Sequence, residues 1–438
     1  MNGLYLVLSP RKSKIVAGSV KMGGSIIIQK RSVGNTPLGW AARNGNEEVV
    51  KRLLAEDDID PNEPDNRGQT PLWWAVLNGH ERVVKTLLDR DDANPNKSDE
   101  YLRTPLFLAV SGGHQGIVKM LLGRDDTKPN RADVRDRTPL LLAASDGHEE
   151  VVKMLLERHD TDPNWFDQYN ETPLWLAASK GYEGVLKMLL ARDDIDLDPP
   201  DTIYGGSPLK TAAARGHEGV VKLLLERDSV KPNKTNKFSL TALMCAAGSG
   251  YEGVVKALLA RDDASIDIPG GDHWMPLSWA ATNGQKGVVK LLLHRDGFNT
   301  GEPGGVGKNP LLLAARDGHK ELVQILLEFG IHPDSPDECS RTPLSKAAEN
   351  GREEVVKILL GAGNVNPDKP DKDGQSPLWW AAHNGHEGVV RLLLEQEGVS
   401  KGKLNQYGQS PLSIATTHGH VGVISLLQPL ADAPHRIT

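Results

Sequence analysis

Gly304-Gly305-Val306-Gly307-Lys308 is the stretch that most invites a chemical reading, because the N–H groups of a glycine-rich loop and a following lysine can cradle phosphates. The pattern fails on its own terms: Glu302 stands where the first glycine belongs, and Asn309 where Ser or Thr is needed. His383 and His386 share the spacing of a metal pair, yet zinc takes four ligands and no cysteine or acid cluster completes a set. Acidic runs such as Asp57-Asp58-Ile59-Asp60 resemble calcium ligands but lack the glycine and terminal glutamate of a dedicated loop. Asp and Asn are favoured in turns for backbone reasons, so these runs read as solvated turns. No nucleophile, base and pocket assemble from these residues. The chain reads as a non-enzyme with no cofactor and no metal.

The elements that carry these residues follow one period. Anchors at Pro37, Pro71, Pro105, Pro139, Pro173, Pro208, Ala242, Pro276, Pro310, Pro343, Pro377 and Pro411 recur every 33 to 35 residues, each with Ala four positions later and Gly eight later. Self-similarity at this length marks a solenoid, in which each unit buries its apolar face against its neighbours. In the second unit Thr70 can cap a first helix with Pro71 at its first position. Leu72, Ala75 and Val76 then make an apolar stripe, and Gly79 ends the helix by taking positive φ. A second helix carries Val83, Val84, Leu87 and Leu88 inward and Lys85 outward. Asp89-Arg90-Asp91-Asp92 and Asn94-Pro95-Asn96 turn the chain into a finger that leads to the next unit.

The motif Thr-Pro-Leu-x-x-Ala-Ala-x-x-Gly-His followed by Val-Val-Lys-x-Leu-Leu, nearly complete at Thr138 to Leu156 and again from Ser376 to Leu394, resembles that of ankyrin-repeat proteins. The Trp-rich repeats and Arg-Asp-Asp loops look most like those of the fungal ankyrin-repeat family, where such arrays often form the sensing end of larger signalling proteins. The resemblance implies an all-α solenoid of about 12 helix-turn-helix repeats with short β-hairpin-like fingers, occupying residues 31–428. Residues 1–30 then form a basic, unstructured leader and 429–438 a C-terminal tail. One departure is systematic. Where the family has His after Thr-Pro-Leu, this chain has Gly39, Trp73, Phe107, Leu141, Trp175, Lys210, Met244, Ser278, Leu312, Ser345, Trp379 and Ser413. The inter-repeat hydrogen bonds that the family draws from that His are expected to be missing, with apolar contact in their place.

Two surfaces could bind a partner. Lys51, Lys85, Lys119, Lys153, Lys187, Lys222, Lys256, Lys290 and Lys357, with Arg391, fall in one row on helix two, a geometry that nucleic acid or an acidic surface could follow. Acids such as Glu81 and Glu149 share those helices, however. Residues 1–31 hold six basic side chains and no acid, so the total of −7 leaves −13 on the remainder, which opposes phosphate. The fingers are the stronger candidate. The resemblance implies that they line a concave binding face, and Tyr101, Tyr169, Tyr204, Phe238 and Trp274 fall in their tips beside Arg103, Arg135 and Arg137. Tyr, Trp and Arg are enriched at binding hot spots. The expected function is therefore a non-catalytic interaction scaffold, or the sensor segment of a larger signalling protein, that binds a protein partner through repeats three to eight.

Cys245 and Cys339 are too few for a disulfide framework, so a reducing compartment, cytoplasm or nucleus, is expected, and the sequons at Asn96, Asn170 and Asn233 are not read as glycosylation sites. No apolar run reaches the roughly 18 to 20 residues that span a bilayer. The acid-poor leader leaves mitochondrial import as the minor alternative.

Overall fold

The computed structural model describes residues 36–199, 206–271, 274–295 and 309–428, together with the backbone of three short strands in the leader. Among the described residues 24 helices pair into twelve helix-turn-helix repeats, from Pro37–Arg43 with Glu47–Leu54 to Pro411–His418 with Val421–Leu427. The chain divides into two compact units, Met1–Pro208 and Leu209–Thr438. Within each, helix one lies against helix one of the next repeat and helix two against helix two. In the leader, Leu4–Val7 pairs antiparallel with both Lys14–Ala17 and Ile27–Lys30, where the sequence suggested an unstructured arm.

Most first helices start at a capping side chain, with Met275 before Pro276 an exception that supplies none. The Thr70 hydroxyl accepts the Trp73 N–H at 3.1 Å, Pro71 occupies the first helical position, and the same arrangement recurs at Thr104, Thr138 and Thr172. Leu72, Ala75 and Val76 are buried and meet the buried Val83, Val84 and Leu87 of helix two, while Lys85 is exposed. Leu88 is only half-buried, at the edge of that stripe. Each aliphatic side chain buried in this way contributes roughly 1.5–3 kcal/mol.

Helix two has no side-chain cap at the Gly-His position, and in four repeats the imidazole reaches backward instead. The His80 Nε2 reaches back 3.0 Å to the Arg43 carbonyl in the preceding repeat, and His319, His386 and His420 make the same contact with Thr282, Glu349 and His383. Direct hydrogen bonds between repeats are thus present. They come from a different histidine position than the family comparison suggested.

The Arg-Asp-Asp loops are also more than solvated turns. Arg90, Arg124, Arg158 and Arg192 each pair with the Asp two residues on and donate Nη1 to the last-turn carbonyl of the preceding helix two, at Leu54, Leu88, Leu122 and Leu156. These guanidinium groups satisfy carbonyls that a helix end leaves unpaired. Asn62, Asn96, Asn130 and Asn164 form a parallel ladder, each amide donating to a carbonyl 30 residues on, from Asp92 to Asp194.

One finger position is held at positive φ in eight fingers among the described residues. Gly68, Gly374 and Gly408 occupy it in three fingers, but Leu102 takes it at φ 60° in repeat three, where an L side chain crowds its own carbonyl. Leu102 is half exposed and gains little from packing. Leu102→Gly is expected to raise stability by up to about 1 kcal/mol, after subtracting the greater unfolded-chain entropy of glycine. A thermal melt showing no gain would contradict this strain.

Candidate functional site

Each of seven described fingers is built on one carboxylate or amide, buried at Asp99, Asp133, Asp167, Asp371 and Asn405 and part-buried at Asn236 and Asp337. Asp99 Oδ1 accepts the backbone N–H of Tyr101 at 3.0 Å and of Arg103 at 2.9 Å. Its Oδ2 takes the Arg103 Nε and Nη2 at 2.9 and 2.6 Å. Asp133 repeats the pattern with Arg135 and Arg137, again closing the ion pair at 2.6 Å. Asp167, Asn236, Asp337, Asp371 and Asn405 hold the same two N–H groups in their own fingers. For Asp133, burial works to raise the carboxyl pKa, but the Arg137 guanidinium and the backbone N–H groups of Arg137 and Arg135 outweigh it and leave the value lowered.

Neighbouring tips are joined through the backbone. Glu100 N–H donates to the Arg67 carbonyl at 3.1 Å, Val134 N–H to Tyr101 at 3.2 Å and Gln168 N–H to Arg135 at 3.3 Å. The side chains presented at this joined position in the first unit are Arg67, Tyr101, Arg135 and Tyr169, one per repeat. In the second unit the equivalent residues among those described are Phe238, Cys339, Asp373 and Tyr407, each two positions after its Asn or Asp.

The sequence-selected residues therefore separate by position. Tyr101, Tyr169 and Phe238 are 51%, 38% and 59% exposed at the tips, and Arg135 is exposed beside them. Arg103 and Arg137 turn inward to the buried aspartates, with their guanidinium carbons 5.6 Å above the Trp73 ring and 5.7 Å above the Phe107 ring. Trp274 is half-buried, its ring 5.0 Å from Trp279 of the same repeat. Tyr204 lies outside the described residues, as do Gly304 to Lys308.

Sequence reasoning passed over Trp165 and Phe166. Both are exposed at the root of finger five, and the Trp165 indole donates at 3.0 Å to the Asp136 carbonyl of finger four. Their signal was available, since the corresponding residues of the two preceding repeats are Lys97-Ser98 and Arg131-Ala132.

The other chemistries find little support in the geometry. His383 stacks on Trp379 with centroids 5.0 Å apart while the His386 Nε2 meets the Glu349 carbonyl, so the two do not converge. Among the described residues no three His, Cys, Asp or Glu side chains gather as metal ligands. Burial, working against nearby Lys210, pushes the Cys245 thiol pKa up, away from the reactive thiolate. In the helix-two row, Lys51, Lys222 and Lys357 pair with Glu47, Glu218 and Glu354 on their own helices at 2.5, 2.5 and 2.7 Å. No helix among the described residues is long and apolar enough to cross a membrane.

A family model described as ankyrin repeats, in three copies, matches residues 23–99, 106–201, 140–236, 192–269, 209–303, 277–368 and 362–434. Among solved structures, the crystal structure of the human ASB11 ankyrin repeat domain is similar at 26% identity and a TM-score of 0.45, over 52% of this chain and 100% of that one. No curated protein matches.

Proposed function

The chain belongs to the ankyrin-repeat family, and from that membership we propose that it is a non-catalytic scaffold that binds a protein partner through its finger tips. Ankyrin repeats generally mediate protein–protein interaction. The observation that carries the reading is the exposure of Tyr101, Tyr169 and Phe238 on turns whose backbone is pinned by buried Asp99, Asp167 and the side chain of Asn236. An aromatic held on a rigid support loses little freedom on binding, which is how a few residues come to dominate an interface. In this reading Tyr101, Arg135 and Tyr169 of the first unit touch the partner, Phe238 offers the same kind of contact on the second unit by itself, and Arg103 and Arg137 position the fingers. Both cysteines are free, which fits a scaffold working in a reducing compartment, the cytoplasm or nucleus.

The test is a pull-down from source-cell extract with the full chain beside a Tyr101→Ala, Tyr169→Ala, Phe238→Ala variant. A protein retained at moderate salt by the first and lost from the second is expected, with the same circular dichroism melt for both. Acidic material that both retain equally, and that salt removes, would overturn the reading.

A further inference from the structure

Among the described residues the tip row of the first unit is an alternation, Arg67, Tyr101, Arg135, Tyr169, on turns that are hydrogen-bonded to one another. Arg103 lays its guanidinium carbon 5.1 Å from the Tyr101 ring centroid, which fixes that ring in place. Arg67 and Arg135 are exposed and form no ion pair with another described residue, whereas Arg103 and Arg137 are spent on buried Asp99 and Asp133. Two unmatched cations thus stand in a chain that is otherwise net acidic. Among the described residues, the equivalent row of the second unit, Phe238, Cys339, Asp373 and Tyr407, has no cation.

We propose that this row reads an extended acidic segment of a partner protein, with acidic and apolar side chains alternating at about every third residue. This rests on the finger-tip reading above. The spacing follows from geometry: packed helices of successive repeats lie roughly 8–10 Å apart, and an extended chain rises about 3.3 Å per residue, so each tip meets about every third side chain. Carboxylates then face Arg67 and Arg135, and apolar groups face Tyr101 and Tyr169. The row offers only two cations, Arg67 and Arg135, set two repeats apart, too few for the run of phosphate contacts that holds single-stranded nucleic acid, so isolated carboxylates fit better.

Fluorescence anisotropy with the full chain tests the proposal, using a labelled peptide that repeats Asp-Ser-Gly-Leu-Ser-Gly, a version with Lys for Asp, and a poly-uridylate strand. The acidic peptide is expected to bind at least about tenfold tighter than the lysine version. An Arg67→Glu, Arg135→Glu variant should reverse that order, and Tyr101→Ala with Tyr169→Ala should weaken the acidic peptide without altering the melt. Equal or absent binding of the two peptides, a preference that survives the charge reversal, or tighter binding of poly-uridylate overturns the proposal. The pull-down separates this failure from failure of the general reading: a partner still lost with the Tyr variants leaves finger-tip recognition standing while removing its acidic specificity.

Discussion

Asp133→Ala is expected to lower the stability of repeats three to five by about 2–3 kcal/mol, since it strips partners from a part-buried guanidinium and two turn amides at once. The Asp133 side chain is only 3% exposed, its Oδ1 holds the Arg135 and Arg137 N–H groups, and its Oδ2 holds the Arg137 guanidinium at 2.6 Å. Asp133→Asn should lose much less, about 1 kcal/mol, because an amide oxygen can still take both N–H groups. Asn236 and Asn405 already do so in other fingers of this chain. The pH dependence has a definite sign. The folded carboxyl pKa is lowered, so its contribution is complete above the ordinary carboxylate range and is lost as pH falls through the folded value. The gap between wild type and Asp133→Asn should therefore close below about pH 4 in urea titrations. A gap that widened in acid would contradict the assignment.

Gly351→Ala should cost about 2–3 kcal/mol at the junction of repeats ten and eleven. Gly351 sits at φ 66°, where alanine is strained, and an added Cβ would lie 2.7 Å from the His386 Nδ1. That imidazole would have to move, breaking its 3.1 Å contact with the Glu349 carbonyl. Gly419 supplies the control. It has φ 73° with nothing within 4 Å of an added Cβ, so Gly419→Ala should show the backbone penalty alone, about 1 kcal/mol. Because repeat arrays are stabilised by nearest-neighbour interfaces, the loss should appear as reduced amide protection in repeats ten and eleven. Equal losses at both glycines would show that the bridging histidine contributes nothing.

These two cases mark what the sequence could and could not show. Thr-Pro-Leu, the Ala four residues after the anchor and the terminating Gly determine local backbone conformation and the buried stripe, so both helices of each repeat were legible residue by residue. The bridges were not, since a contact such as Arg158 to Leu122 joins residues 36 apart whose meeting depends on how repeats stack. The His in Gly-His could be read as punctuation because nothing local distinguishes a capping imidazole from one that reaches backward. At the fingers, composition identified the aromatic and arginine content but not its division of labour. The sorting signal is the Asp four residues before Arg103, Arg137 and Arg341, which turns those arginines inward, while Arg67 and Arg135, two residues after their Asp, stay at the tip.

The central claim is that a partner is read by the finger tips and not by the helix-two face. Hydrogen exchange on the full chain, free and in complex with the captured partner, tests it most directly. The account predicts added protection across residues 99–103, 133–137 and 167–171, with Glu81–Leu88, Gln115–Leu122 and Glu149–Leu156 unchanged. Protection confined to those three helices, with the finger tips exchanging as in the free chain, would contradict it and move recognition to the lysine row.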